Sequence, residues 1–216
     1  WTEMEKDGFA WWRSRLQRMA GLYHTIRVDH ILGFFRIWEI PRDKCVRGLL
    51  GYFFPSNPLT SQELGNLGLW DIERYVKPYV RMHLLQKKFG ADASDIAKKY
   101  FIARGVNEGD DYYDFKEEYN TEKKVQEALR ADTTLTELQR KTLQQGLFEL
   151  IGNVILLEDP ERKDCYHVRT EVMRESLIST PNGPILIPSS SWEELPWDQK
   201  NKVKELYYDF TYKRQT

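Results

Sequence analysis

Apolar residues recur at helical spacing through most of the chain, and the exceptions mark its few strands. Phe9, Trp12, Leu16, Met19 and Tyr23 fall three and four apart, with Arg13, Arg15, Gln17 and Arg18 between them. An amphipathic helix of about four turns is therefore expected behind Asp7 as N-cap. Ile26 and Val28 then alternate with Arg27 and Asp29, the period of a short strand that ends at His30, just before Gly33. From Thr60 the pattern turns helical again. Thr60-Ser61-Gln62-Glu63 has the form of a capping box, Val80, Leu84 and Leu85 share a face of a helix stopped by Gly90, and residues 92–100 form another short helix. Thr121 is placed to cap a helix to about Arg130, and Thr134-Leu135-Thr136-Glu137 opens a longer one carrying Leu138, Leu143, Leu147 and Leu150. Residues 153–157 read as a buried strand, Asp159-Pro160 as a turn and residues 165–169 as the antiparallel mate. The Pro- and Gly-rich stretch 179–191 reads as the strongest break, and beyond it Val203, Leu206, Tyr207 and Phe210 make the stripe of a final helix.

A helix feeding a strand is the repeating step of an α/β fold. Residues 1–41 are accordingly expected to be one helix and strand, and 42–216 a mostly helical region with a short hairpin near 153–169. The chemistry concentrates at the predicted strand end. Side chains two apart on a strand share a face, so Arg27 and Asp29 project together, and a guanidinium at that spacing keeps a carboxylate ionised and oriented. That prepares a carboxylate nucleophile. Gly33 lets the backbone turn, while Trp38, with Phe34 and Phe35, offers flat apolar faces of the kind that pack under sugar rings. Gly51, Pro55 and Pro58 break the chain around Tyr52 and Phe54, two further candidates for stacking. Each has a plainer reading: Trp11 and Trp12 as core, Arg27 with Asp29 as an ion pair serving packing, His30 as a satisfied polar residue, Tyr52 and Phe54 as loop plugs.

Charge narrows the partners. The 216 residues carry 32 basic and 33 acidic side chains, interspersed, for a net charge of -1, which offers no stripe for nucleic acid or an anionic membrane. A neutral partner is expected. Cys45 and Cys165 are far apart and sit in no metal-binding spacing, so they read as free thiols in a reducing, cytoplasmic compartment. The apolar runs fall far short of the roughly 20 residues of a membrane span. Asp110, Asp111 and Asp114 cluster but lack the ligand pattern of a calcium loop, and neither a metal nor a cofactor is expected.

Arg27-Val28-Asp29-His30-Ile31-Leu32-Gly33-Phe34-Phe35, followed by Trp38-Glu39-Ile40-Pro41, resembles the nucleophile strand of the 4-α-glucanotransferases, the amylomaltase or disproportionating enzymes of glycoside hydrolase family 77. Gly8-Phe9-Ala10-Trp11-Trp12-Arg13 and Ile31-Leu32-Gly33-Phe34-Phe35-Arg36-Ile37-Trp38 resemble most its plant-type cytosolic branch. The likeness continues through Gly68-Leu69-Trp70-Asp71, Asn120-Thr121-Glu122-Lys123-Lys124 and Tyr207-Tyr208-Asp209-Phe210. The resemblance implies a (β/α)8 barrel, of which residues 1–41 would be the nucleophile strand with its preceding helix, and 42–216 an insertion. It implies transfer of glucosyl units between α-1,4-glucans, maltose, maltodextrin or glycogen, with Asp29 as nucleophile, Arg27 orienting it and His30 on sugar hydroxyls. A complete barrel needs about 250 residues. The family's acid/base motif Glu-Asp-Leu-Gly and its later His-Asp pair do not occur in the chain, and Glu158-Asp159-Pro160 matches only in part. The chain is thus expected to be an internal piece of a catalytic domain, inactive by itself.

Two other classes fit part of the pattern. A glucan-binding module without catalysis would account for the 13% of aromatic residues and predicts that loss of Asp29 alters affinity alone. A helical interaction module would account for residues 60–150 and predicts no saccharide binding.

Overall fold

The computed structural model describes residues 2–47, 50–104, 111–169, 176–180, 183–187 and 189–212. The chain divides into two units, residues 1–37 and 38–216, and the architecture is mixed helix and sheet.

The first unit holds α1 (Thr2–Lys6) and α2 (Ala10–Ala20). The N-cap of α2 is Phe9, without a side-chain cap bond, rather than the expected Asp7, whose Oδ1 accepts from the Ala10 N–H at 3.0 Å from two residues further back. Phe9, at φ +58°, separates the two helices. The expected strand at residues 26–28 is absent: no regular element lies between Ala20 and the 3₁₀ turn Ile31–Phe34, and none of the described sheets includes this stretch. The alternation is present in the sequence, but a strand exists only as part of a hydrogen-bonded ladder, and here no neighbour supplies one. Trp11 and Leu16 are exposed, and no described residue of this unit is buried.

The second unit carries two cores. The first surrounds an antiparallel three-stranded sheet of order β3-β7-β6, after the short pair β1 (Ile37–Glu39) and β2 (Tyr52–Phe54). Its strands are β3 (Leu59–Thr60), β6 (Leu156–Glu158) and β7 (Cys165–Val168), with Leu59 opposite Tyr166 and Leu156 opposite Val168. Leu64 of α3 (Ser61–Asn66), Tyr75 of α4 (Ile72–Val76), Trp192 of α9 (Ser190–Glu193), and Val203 and Leu206 of α10 (Trp197–Tyr212) close on it. The second core packs α5 (Met82–Phe89), α6 (Ala93–Tyr100), α7 (Glu122–Ala131) and α8 (Glu137–Ile151) around Leu85, Ile96, Val125, Leu129 and Leu147.

The caps explain where these helices start. Thr60 accepts from the Glu63 N–H while Glu63 Oε2 accepts from the Thr60 N–H at 2.8 Å, and Thr136 with Gln139 repeats the arrangement. Thr121 caps α7 by accepting from the Lys124 N–H. Gly146 of α8 lies where a Cβ would come 2.5 Å from the Phe89 ring, so glycine is what lets α5 and α8 approach.

Two hairpins lie where the pattern was read as something else. β4 (Phe101–Arg104) pairs antiparallel with β5 (Tyr112–Phe115) across residues 105–110, and the Phe101 and Phe115 rings meet at 4.4 Å. The acidic residues around Tyr112 and Tyr113 obscured a strand whose stability comes from cross-strand aromatic contact. β8 (Ser176–Thr180) pairs antiparallel with β9 (Gly183–Ile187), so the stretch 179–191, expected to be one long break, holds the end of one strand and the whole of the other.

Candidate active site

Asp29 and His30 stand together. They line an open concavity of about 370 Å³ in the first unit with Met4, Trp12, Gly33 and Phe34. The turn that presents them is built from His30 outward: its φ is +50°, in the left-handed region, and its carbonyl accepts from the Gly33 N–H at 2.9 Å. A histidine in that conformation is strained, and such strain gathers where side chains are aimed for use. Gly33 contributes space rather than an unusual φ. A Cβ there would come 2.8 Å from His30 Cδ2, so any other residue displaces the imidazole. Trp12 packs on Phe34 at 5.3 Å and forms the apolar wall.

Arg27 Nη2 lies 3.8 Å from Asp29 Oδ1, but the two side chains are 88% and 87% exposed. The pair expected from the sequence is therefore present as a loose, hydrated contact, and in water so open an ion pair holds little energy. Arg27 does not line the concavity.

The remaining predicted residues belong to the second unit. Trp38 lies in β1, edge-on to Phe53 of β2 at 5.0 Å, with Gly51 against its indole. Phe54 is exposed. Tyr52 stacks face to face on His167, with centroids 4.4 Å apart and planes 15° apart, and it lines a cavity of about 220 Å³ with Pro41, Lys44, Pro78, Leu157 and Pro160. Burial, followed by the nearby Glu39 and Asp159 carboxylates, pushes its phenol above the usual tyrosine value.

Sequence reasoning missed what holds Tyr52. His167 is buried, with Nδ1 3.1 Å from Ser56 Oγ and Nε2 2.9 Å from Asp159 Oδ2. Asp159 Oδ1 in turn accepts from the N–H groups of Glu161 and Arg162. Burial pushes the imidazole below its ordinary value, with Asp159 opposing. Burial also works to raise the Asp159 carboxyl, but the two backbone donors and His167 outweigh it and hold it low. One signal was available: Asp159-Pro160 as a turn and His167 in the returning strand face each other across the tip of a hairpin.

A second pin was also missed. Glu122 is fully buried and accepts from the N–H groups of Val46 and Arg47 at 2.8 and 2.7 Å and from Arg47 Nε at 2.9 Å, while Arg47 Nη2 reaches the Phe148 carbonyl at 2.6 Å. This ties the loop after β1 to α7 and α8. The Cys45 thiol beside it is pushed up to about 11, by burial first and by Glu122 second. Of the acidic cluster, Asp110 lies outside the described residues, Asp111 accepts from Arg81 and the Met82 N–H at the start of α5, and Asp114 pairs with Arg104. Among the described residues no group of three or more His, Cys, Asp or Glu side chains is arranged to hold a metal ion, and no helix is long and apolar enough to cross a membrane.

Comparison with known proteins adds a lineage to this geometry. The chain is 38% identical over its whole length to 4-alpha-glucanotransferase DPE2 of Oryza sativa subsp. japonica, of which it spans 21%. It is 32% identical over 111 residues to the chloroplastic/amyloplastic 4-alpha-glucanotransferase of Solanum tuberosum, covering 44% of this chain and 19% of that one. It is 44% identical over 41 residues to the 4-alpha-glucanotransferase of Thermus thermophilus, covering 19% of this chain and 8% of that one. The chain thus corresponds to about a fifth or less of the length of these relatives. No solved structure matches it. The glycoside hydrolase family 77 model, 4-alpha-glucanotransferase, matches residues 1–215, and the chain belongs to that family.

Proposed function

We propose that this chain supplies the nucleophile of a retaining glucosyl transfer between α-1,4-glucans. In the intact protein Asp29 attacks the anomeric carbon of the donor, and the bond to the leaving oxygen breaks as a second carboxyl group protonates it. The resulting glycosyl-aspartate passes its sugar to an acceptor hydroxyl, whose proton returns to that second group. Arg27 keeps Asp29 oriented, and His30 hydrogen-bonds hydroxyls of the attacked ring. Trp38, Tyr52 and Phe54 contribute stacking faces. The acid/base carboxyl comes from outside these 216 residues, on the next strand of a (β/α)8 barrel whose nucleophile stretch is residues 1–41. Maltose and maltodextrin or glycogen are the substrates, and the cytoplasm is the site of action.

The observation that carries this reading is that Asp29 and His30 share one concavity, on a turn in which His30 is left-handed and Gly33 leaves the room its imidazole occupies. Asp29→Asn in the intact protein is expected to lower kcat by at least about a thousandfold while substrate still binds, because a carboxamide cannot form the covalent intermediate. Glucose release from maltose in the presence of glycogen measures it. Near-normal turnover by the variant would remove Asp29 from the role.

A further inference from the structure

Tyr52 rests on a built support. Tyr166 and Val168 of β7 belong to the first core, so His167 between them points out of the opposite face of that sheet. There the Tyr52 ring lies on its imidazole, with centroids 4.4 Å apart and planes 15° apart. The imidazole is held at both nitrogens. A carboxylate only accepts, so Nε2 carries the proton that Asp159 Oδ2 receives at 2.9 Å, and Nδ1 accepts from the Ser56 hydroxyl at 3.1 Å. Arg162 Nη2 closes the circuit, 3.2 Å from the same Asp159 oxygen and 3.3 Å from the Ser56 carbonyl oxygen. We propose that His167 is a positioning residue for glucan binding: locked between Asp159 and Ser56, it fixes the plane of the Tyr52 ring on which a pyranose stacks.

Hydrogen bonds at opposite edges of the imidazole oppose rotation about its Cβ–Cγ bond, so its plane is set when the chain folds and not when a sugar arrives. A stacking ring that must be ordered on binding weakens the complex, whereas one already backed by a fixed partner does not. One face of Tyr52 is taken by the imidazole, and the other is left for the apolar face of a pyranose. The network draws Tyr52 and Ser56 from β2 and its exit, and Asp159, Arg162 and His167 from the hairpin of β6 and β7, so the helical region between them serves to bring the support under the ring. Packing alone would ask only for bulk at position 167. Positioning asks for a flat ring.

The inference rests on the glucan-transfer reading, which counts Tyr52 among the stacking faces, and the test separates the two. In the intact protein, kcat and KM for glycogen are measured with maltose as donor, and urea unfolding reports the stability of each variant. Tyr52→Ala is expected to raise KM about fivefold to tenfold, and His167→Gln about threefold to fivefold with a smaller change in kcat. His167→Phe keeps a flat ring and removes both hydrogen bonds, so it should lower the urea midpoint yet return KM to within about twofold of the parent. In the double variant Tyr52→Ala/His167→Gln, KM should be no higher than in Tyr52→Ala alone, because the support has nothing left to hold. KM unmoved by His167→Gln, a KM that rises with His167→Phe as much as with His167→Gln, or full additivity in the double variant would each overturn the positioning role. KM unmoved by Tyr52→Ala would overturn it too and leave Asp29 untouched, whereas near-normal turnover by Asp29→Asn would withdraw the nucleophile and leave this cycle standing.

Discussion

The two units of this chain invert the usual relation between motif and structure. Residues 1–37 carry the most specific sequence pattern, yet no described residue there is buried, and Trp11, Leu22, Val28, Ile31 and Phe35 face solvent. Residues 38–216 carry patterns found in any helical protein, and they close two cores with Leu64, Leu85, Leu147, Leu150 and Ile155 almost wholly shielded. Burying such a side chain is worth roughly 1.5–3 kcal/mol, so stability resides in the second unit. In the first, the described contacts at the site are local: the Asp7–Ala10 hydrogen bond, the left-handed His30 and the Trp12–Phe34 contact. A candidate site can therefore be recognisable in sequence without a buried core beneath it.

The sharpest way to break the comparison sets one ion pair against the other. Glu122 is fully buried, and two backbone N–H groups and the Arg47 guanidinium depend on it, whereas Arg27 and Asp29 meet in open water. Glu122→Ala is expected to cost about 3–5 kcal/mol, since it strands Arg47 and two backbone N–H groups without an acceptor. Arg27→Ala is expected to cost well under about 1 kcal/mol. Urea unfolding followed by far-ultraviolet circular dichroism measures both. Equal losses would mean that the first unit is as firmly held as the second.

How far these contrasts were legible in the sequence depends on the range of the interaction. The caps at Thr60, Thr121 and Thr136 and the stop at Gly90 were readable because a cap is a contact over three residues. Asp29 and His30 were readable through the surrounding motif, and the structure brings them into one concavity. The strand at 26–28 was over-read, because alternation reports which faces differ and not whether a neighbour is present to pair. Glu122 with Arg47 and His167 with Ser56 were not legible at all. Their partners are 75 and 111 positions apart, and nothing local distinguishes a charged side chain that will be buried from one that will be hydrated.

A smaller effect is expected from the His167 network, and its sign follows from the direction of the two shifts. Burial holds the imidazole of the folded chain below 6.5, so folding favours the neutral ring. The unfolded chain then takes up protons first. The associated stability is complete above pH 6.5 and is lost as the pH falls below it toward the folded value. Asp159, held below 3.8, adds a second loss as the pH falls through that range. The urea midpoint of the parent chain is expected to fall between pH 7.5 and 5.5, and His167→Gln is expected to flatten that slope while lowering the midpoint at pH 7.5. A slope as steep in the variant as in the parent would place the acid sensitivity elsewhere. The same substitution withdraws the ring under Tyr52, so a glucan contact made by Tyr52 in the intact protein should weaken with KM rising more than kcat falls.

The smallest expected effect reads the closure of the Glu122 pin directly, through the thiol beside it. Cys45 is half-buried, its Sγ lies 3.9 Å from the Leu50 carbonyl, and its pKa of about 11 is set first by burial and then by the Glu122 carboxylate. Against the ordinary value of 9.0, the thiolate fraction at pH 8 falls by about a hundredfold, and alkylation proceeds through the thiolate. Iodoacetamide at pH 8 should therefore label Cys45 far more slowly than a free cysteine, with peptide mass spectrometry following the site. Glu122→Gln keeps the side-chain volume and one acceptor while removing the charge, so it should speed labelling without unfolding the unit. If the rates at Cys45 were the same in parent and variant, the loop would be held by apolar packing around Leu50 and not by the buried carboxylate.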